Sequence, residues 1–254
     1  MYYQEYPPHP ALAPYVDCLW TACVPAVAPG STHVHRVLPD NCVDILWQDD
    51  GRPAFAVGMM SKSIEVLSGA AVRTVAVRFM PGAAGLFVGA PLHALTDSRA
   101  DLDRLWTRAA TVRLDAALWE YPLDDRQRLA LIEQALLLRL RAAEGDAIGS
   151  AARMIGRALH MLDASNGNLR IDGLAIELGV SRQHLAAQFR ERVGLSPKLY
   201  ARICRFRRAM AALKAAPAPD WARLALECGY FDQSHLIHDF QAFARRTPER
   251  FICG

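Results

Sequence analysis

A repeat at a spacing of about fifty residues, in the last third of the chain, limits the fold more than any other feature. Leu174-Ala175-Ile176-Glu177-Leu178-Gly179 returns as Leu224-Ala225-Leu226-Glu227-Cys228-Gly229, an offset of 50. One residue is inserted in the second copy's turn, after which Leu185, Phe189, Pro197 and Tyr200 map onto Leu236, Phe240, Pro248 and Phe251 at an offset of 51. Helix packing accounts for these residue types. The small Ala lets a first helix lie close against a second, and the Gly permits the left-handed backbone of a tight turn. Ser181 and Asp232 are suited to cap the second helix of each copy. Leu185 with Phe189, and Leu236 with Phe240, put one apolar stripe on that helix and leave the opposite face open. Two helix-turn-helix units are therefore expected, at about 171–192 and 221–243. Ordinary helical hairpins of a scaffold are the competing reading, and a repeat held in register within a basic segment argues against them.

The charge distribution points the same way. Residues 150–254 carry 16 Lys/Arg against 9 Asp/Glu, a balance of +7, whereas residues 1–149 carry 13 against 17, a balance of −4. Only the C-terminal part is suited to meet a polyanion.

Residues from about 151 to 254 resemble the DNA-binding domain of the AraC/XylS family of bacterial transcription regulators. The resemblance rests on Cys228-Gly229-Tyr230-Phe231-Asp232-Gln233-Ser234-His235-Leu236 through Phe240, then Arg246-Thr247-Pro248-Glu249-Arg250-Phe251. Leu195-Ser196-Pro197-Lys198-Leu199-Tyr200 and the connecting stretch Tyr200 to Ala209 are similarly typical. It implies seven helices, one of them long, fixing the two units so that their recognition helices enter successive major grooves. More loosely, Arg36-Val37-Leu38-Pro39-Asp40-Asn41-Cys42-Val43-Asp44-Ile45-Leu46 and Arg78-Phe79-Met80-Pro81-Gly82-Ala83 resemble the sensor halves of one branch of the family. That branch commonly has Gly where Asn41 stands, a position both residues fill when a turn needs positive φ.

The solvent-facing positions of the first recognition helix are Arg182, Gln183, Ala186, Ala187 and Arg190. Arg182 and Gln183 stand at its N-terminal end, where such a helix points base-reading groups into the groove; Arg suits guanine and Gln suits adenine. Ala186 leaves room for a thymine methyl. The matching positions of the second unit are Gln233, Ser234, Ile237, His238 and Gln241, a nearly neutral face with Asp232 and Asp239 close by. Family members often carry a basic residue where His238 stands. The base readers are therefore assigned to Arg182, Gln183 and Ala186 in the first unit and Gln233, Ser234 and His238 in the second, with the first contributing more specificity. Phosphate contacts are assigned to Ser181, Arg190, Arg245, Arg246 and Arg250, the last three near the start of the final helix. Arg202, Arg205, Arg207 and Arg208 on the connecting helix are expected in part to cover the core or pair with acids.

The N-terminal part reads differently. Val37-Leu38, Cys42 to Trp47, Phe55 to Gly58, Ile64 to Leu67 and Val72 to Phe79 read as strands between Pro, Gly, Asp and Asn turns. Val72 to Phe79 alternates, with Val72, Thr74, Ala76 and Arg78 on one face and Arg73, Val75, Val77 and Phe79 on the other. Short helices are expected at Ala83 to Val88 and Asp101 to Trp106. A longer one, capped by Asp124 or Asp125 and running to about Ala143, has leucines on more than one face and is the candidate dimer helix. Glu144-Gly145-Asp146 reads as a hinge. Trp20, Trp47, Phe55 and Phe79 admit two readings, a wall around a small ligand or plain core filling.

Several function classes recede. The most apolar stretch, Leu129 to Leu140, is short and carries charge, and the N-terminus lacks a signal-peptide pattern, so a cytoplasmic location is the default. Six cysteines form no CxxC pair and are expected as reduced thiols, which removes the four-cysteine zinc cluster of DNA-repair fusions. His33-Val34-His35, placed before a strand, offers half a metal site with no second half. GxSxG, HExxH and a phosphate loop are missing, so neither catalysis nor a cofactor is expected. The expected fold is α+β in two domains: residues 1–145, β-rich with helices, for sensing or dimerisation, and residues 146–254, all-α, for DNA binding. The expected partners are double-stranded operator DNA, a small-molecule effector, a second copy of the chain and, for an activator, RNA polymerase, with no membrane. An architectural DNA binder without effector is the alternative.

Overall fold

The computed structural model describes residues 2–26, 28, 32–143, 149–215 and 220–252. The expected hinge at 144–146 and Cys253 lie outside them.

The N-terminal part is built on a six-stranded antiparallel sheet in the order β1-β2-β7-β4-β5-β8. Its strands are β1 (Tyr2–Tyr6), β2 (Val16–Val24), β4 (Val43–Gln48), β5 (Phe55–Val57), β7 (Val72–Phe79) and β8 (Arg99–Asp101). Strands β3 (His33–Val37) and β6 (Ile64–Ser68) form a separate two-stranded ribbon. The His-Val-His run thus lies inside a strand, not before one. Among the described residues no group of three His, Cys, Asp or Glu is placed to hold a metal ion.

Strand β7 departs from its alternating pattern. It pairs with β2 on one side and β4 on the other, and Thr74, Val75, Ala76 and Val77 are all buried. A central strand covered on both faces has no solvent face for Thr74 and Ala76 to occupy.

Short helix α1 (Gly85–Val88), 3-10 turns at Leu92–Leu95 and Leu102–Arg104, and helix α2 (Arg108–Trp119) lead to α3 (Asp125–Ala143). The Asp124 carboxylate accepts from the Gln127 N–H at 2.8 Å and Gln127 Oε1 accepts from the Asp124 N–H at 2.8 Å, a reciprocal cap that fixes where α3 begins. Helix α3 packs on β7, α1 and α2, burying Leu129, Ile132, Leu136 and Leu140, while Leu138 stays exposed on the outer face. Trp47 and Phe79 are fully buried core residues, Trp47 meeting Trp106 at 6.2 Å and Phe79 stacking on Phe87 at 4.9 Å. Phe55 is buried too, whereas Trp20 is only half-buried and donates to Asp44.

The C-terminal part holds seven helices among the described residues: α4 (Ser150–Ala164), α5 (Ile171–Glu177), α6 (Arg182–Val193), α7 (Pro197–Ala215), α8 (Trp221–Glu227), α9 (Gln233–Ala244) and α10 (Pro248–Ile252). The turn glycines Gly179 and Gly229 have φ of 67° and 81°, as the repeat requires. Ser196 and Thr247 cap α7 and α10 through the N–H groups of Leu199 and Arg250, each followed by Pro at the first helical position. Buried apolar residues of both parts belong to one continuous core. Among the described residues no helix is long and apolar enough to cross a membrane.

Candidate nucleic-acid interface

In the first unit α5 and α6 flank the Gly179 turn, and α6 buries Leu185, Phe189 and Val193. Ser181 Oγ accepts from the His184 N–H at 3.1 Å, which closes the first turn and leaves its hydroxyl proton to donate elsewhere. Arg182, Gln183, Ala187 and Arg190 are exposed, and Ala186 is half-buried beside them. Arg182 is not idle: its Nη1 lies 2.8 Å from Asp172 Oδ1 on α5. Both side chains are more than half exposed, at 66% and 52%, so the pair is worth at most about 1 kcal/mol and yields to a stronger acceptor.

Arg182, Gln183 and Ala186 line a groove completed by Arg170, Lys198 and Arg205, with Asp172 the one acid on its wall among the described residues. The first turns of α5, α6 and α7 line this groove, and the N–H groups there that Ser181 and Ser196 leave uncapped add to its attraction for an anion. Arg170 and Lys198 are functional candidates that the sequence reading missed. Lys198 follows Pro197 at a helix start, a signal that could have found it.

In the second unit Asp232 Oδ1 accepts from the His235 N–H at 2.8 Å, and α9 buries Leu236, Asp239, Phe240 and Phe243. Ser234, His238 and Gln241 are exposed; Gln233 and Ile237 are half-buried. Asp239 does lie close to the reading face, its Oδ1 4.0 Å from Nδ1 of the exposed His238, but it does not reach that face. Its carboxylate is buried and turned onto α7, where Arg202 reaches Oδ1 with Nη2 at 2.6 Å and Nε at 3.1 Å. The Arg202 guanidinium also sits 5.0 Å from the Phe243 ring centre. Asp232 accepts the cap N–H yet stays exposed, so the reading face of α9 is nearly neutral with one acid at its start and another beneath His238. Phe231, the inserted residue, is 86% exposed directly before that cap.

The arginines of α7 serve mostly as structure, as expected. Besides Arg202, Arg205 donates to the Gly167 carbonyl and lies over the Tyr230 ring, and Arg207 donates to the Asp40 carbonyl at 3.0 Å. The Asp40-Asn41 turn thereby docks on α7. Asn41 has φ of 66°, the positive value expected for it, and its Nδ2 reaches the Tyr200 carbonyl at 3.4 Å. Tyr200 donates to Asp163 Oδ1 at 2.8 Å, and burial raises its hydroxyl pKa; burial likewise pushes the Cys204 thiol up to about 12.

Of the three C-terminal arginines, Arg250 lies in the first turn of α10 and Arg246 two residues before that helix, near its start as expected. Arg245 is the C-cap of α9, with φ of 55°, and not part of α10's first turn. Helix α10 has only 5 residues, which limits what its N–H groups add. Arg245 and Arg250 are exposed and Arg246 is half-buried.

Two helix-turn-helix units fixed to one connecting helix define a DNA-binding domain. Residues 174–252 match a family model described as a helix-turn-helix domain, and this part of the chain is of the AraC/XylS type. Residues 4–101 match a family described as a domain of unknown function (DUF6597). Solved structures of ToxT from Vibrio cholerae are similar in layout. One matches at 11% identity over 100% of this chain and 98% of its own, with a TM-score of 0.46. A second, bound to (E)-4-(8-methylnaphthalen-1-yl)but-3-enoic acid, matches at 12% over 92% and 97%, with a TM-score of 0.47. A third, bound to an unsaturated fatty acid, matches at 10% over 87% and 94%, with a TM-score of 0.44. No curated protein matches the chain in sequence.

Proposed function

We propose that this chain is a sequence-specific DNA-binding transcription regulator that grips an operator with residues 146–254 and is controlled through residues 1–145. The observation that carries the reading is the exposure of Arg182 and Gln183 on α6 and of Ser234 and His238 on α9, both helices anchored from behind on α7. Arg182 and Gln183 read bases in the first groove; Gln233, Ser234 and His238 read or follow the second. Ser181, Arg190, Arg245, Arg246 and Arg250, joined by Arg170 and Lys198, hold phosphates. The packed state of Trp47, Phe79 and Phe87 favours control through contacts between the two parts over control through a large cavity inside the sheet.

A duplex selected by the full chain from a randomised pool provides the test. Its affinity over a scrambled duplex of equal length should be about a thousandfold or more at physiological salt. Arg182→Ala should cost at least about tenfold on the selected duplex, and more than His238→Ala. A ratio near one would support the architectural alternative, and a larger loss at His238 would reverse the assignment of the main reader.

A further inference from the structure

The C-terminal ends of α6 and α9 point away from the reading face, and the last carbonyls of a helix lack partners within it. Both ends are met by one small region of the N-terminal part. At α9, the Phe243 carbonyl accepts from the Ser63 N–H at 2.8 Å. At α6, the Gly194 carbonyl accepts from the Thr96 hydroxyl at 2.7 Å. Met59 closes over Gly194 so tightly that a Cβ there would lie 1.8 Å from its methyl carbon and 2.9 Å from the Leu92 carbonyl oxygen. Met59 and Ser63 are the two ends of a five-residue loop, and Thr96 adjoins Asp97.

Asp97 ties these pieces together. Its Oδ1 accepts from the Ser61 N–H and its Oδ2 from the Ser61 hydroxyl, each at 2.7 Å. Its own N–H donates to the Met59 carbonyl at 2.9 Å. Asp97 makes these bonds at a φ of 56°, a left-handed value that Asp tolerates better than most residues. We infer that the loop 59–63, closed on Asp97, is a brace that sets the two recognition helices relative to one another, with Asp97 as its positioning residue. The inference rests on the regulator reading for its purpose, since two helices enter successive grooves only at a matched separation. Its geometry does not depend on that reading.

The experiment uses the full chain, with spin labels carried by non-natural amino acids at the exposed positions Ala187 and Gln241, and pulsed electron paramagnetic resonance to read the distance between them. Asp97→Gly keeps the positive φ and removes the carboxylate. Asp97→Asn keeps both the backbone and a hydrogen-bonding side chain, and Ser61→Ala removes the hydroxyl from the other side. Wild type and Asp97→Asn should give one narrow distance peak, and Asp97→Gly should lose it, with Ser61→Ala between them. On the selected duplex, the preference over the same duplex with one base pair inserted between half-sites should fall about tenfold in Asp97→Gly. A narrow peak retained in Asp97→Gly, or lost equally in Asp97→Asn, overturns the brace. A wild type that selects no duplex sinks the regulator reading instead, and the distance result still decides the brace.

Discussion

Arg245 occupies the place in the second unit that Gly194 holds in the first, 51 positions earlier. Both cap a recognition helix in the left-handed conformation, at φ of 55° and 88°. For a residue with a Cβ that conformation costs on the order of 1 kcal/mol, and Gly removes the cost at some expense in unfolded-chain entropy. Arginine there is explained if its charge is used. Arg245→Gly should therefore raise unfolding free energy by about 0.5–1 kcal/mol in denaturant titration. The same substitution should weaken duplex binding and reduce the slope of log affinity against log salt by about one. A less stable variant would remove the strain argument, and an unchanged salt slope would remove the phosphate contact.

At the scale of the element, α9 is fastened to α7 by Asp239 and Arg202 as well as by its phenylalanines. Truncating one member of a buried pair strands the other charge, so Asp239→Ala should destabilise by about 2–4 kcal/mol. The double replacement Asp239→Leu with Arg202→Met should recover most of that loss. If the single and double variants unfold at the same denaturant concentration, the pair does not fasten the helix.

This pair also marks how far the sequence is readable. The caps, turns and repeat of the C-terminal part are legible because helix signals are local: a Ser or Asp, a Gly, and apolar residues three and four apart. Asp239 follows Leu236 by three and precedes Phe243 by four, which places it on the buried stripe. An acid defaults to solvent unless a partner is known, and Arg202 is distant in sequence. Strands β1 and β2 and helix α2 escaped for a related reason. Tyr2-Tyr3-Gln4-Glu5-Tyr6 is almost wholly exposed and is made a strand by pairing with β2, a long-range bond no local pattern records. The contacts of Met59, Ser63 and Asp97 with the recognition helices are equally non-local. Arg182 and Gln183, by contrast, were legible as exposed helix-start residues, although the Asp172 partner of Arg182 was not.

At the scale of the whole molecule, a β-rich acidic part and a helical basic part share a continuous core, and the first touches the second behind both recognition helices. Such a molecule should meet DNA as one rigid body reading two successive grooves from one side of the duplex. Hydroxyl-radical footprinting of the full chain on its selected duplex tests that claim most directly. Two protected patches, about one helical turn or 10 base pairs apart on one face, are the expected result. A single patch, or protection spread evenly along the duplex, would contradict it.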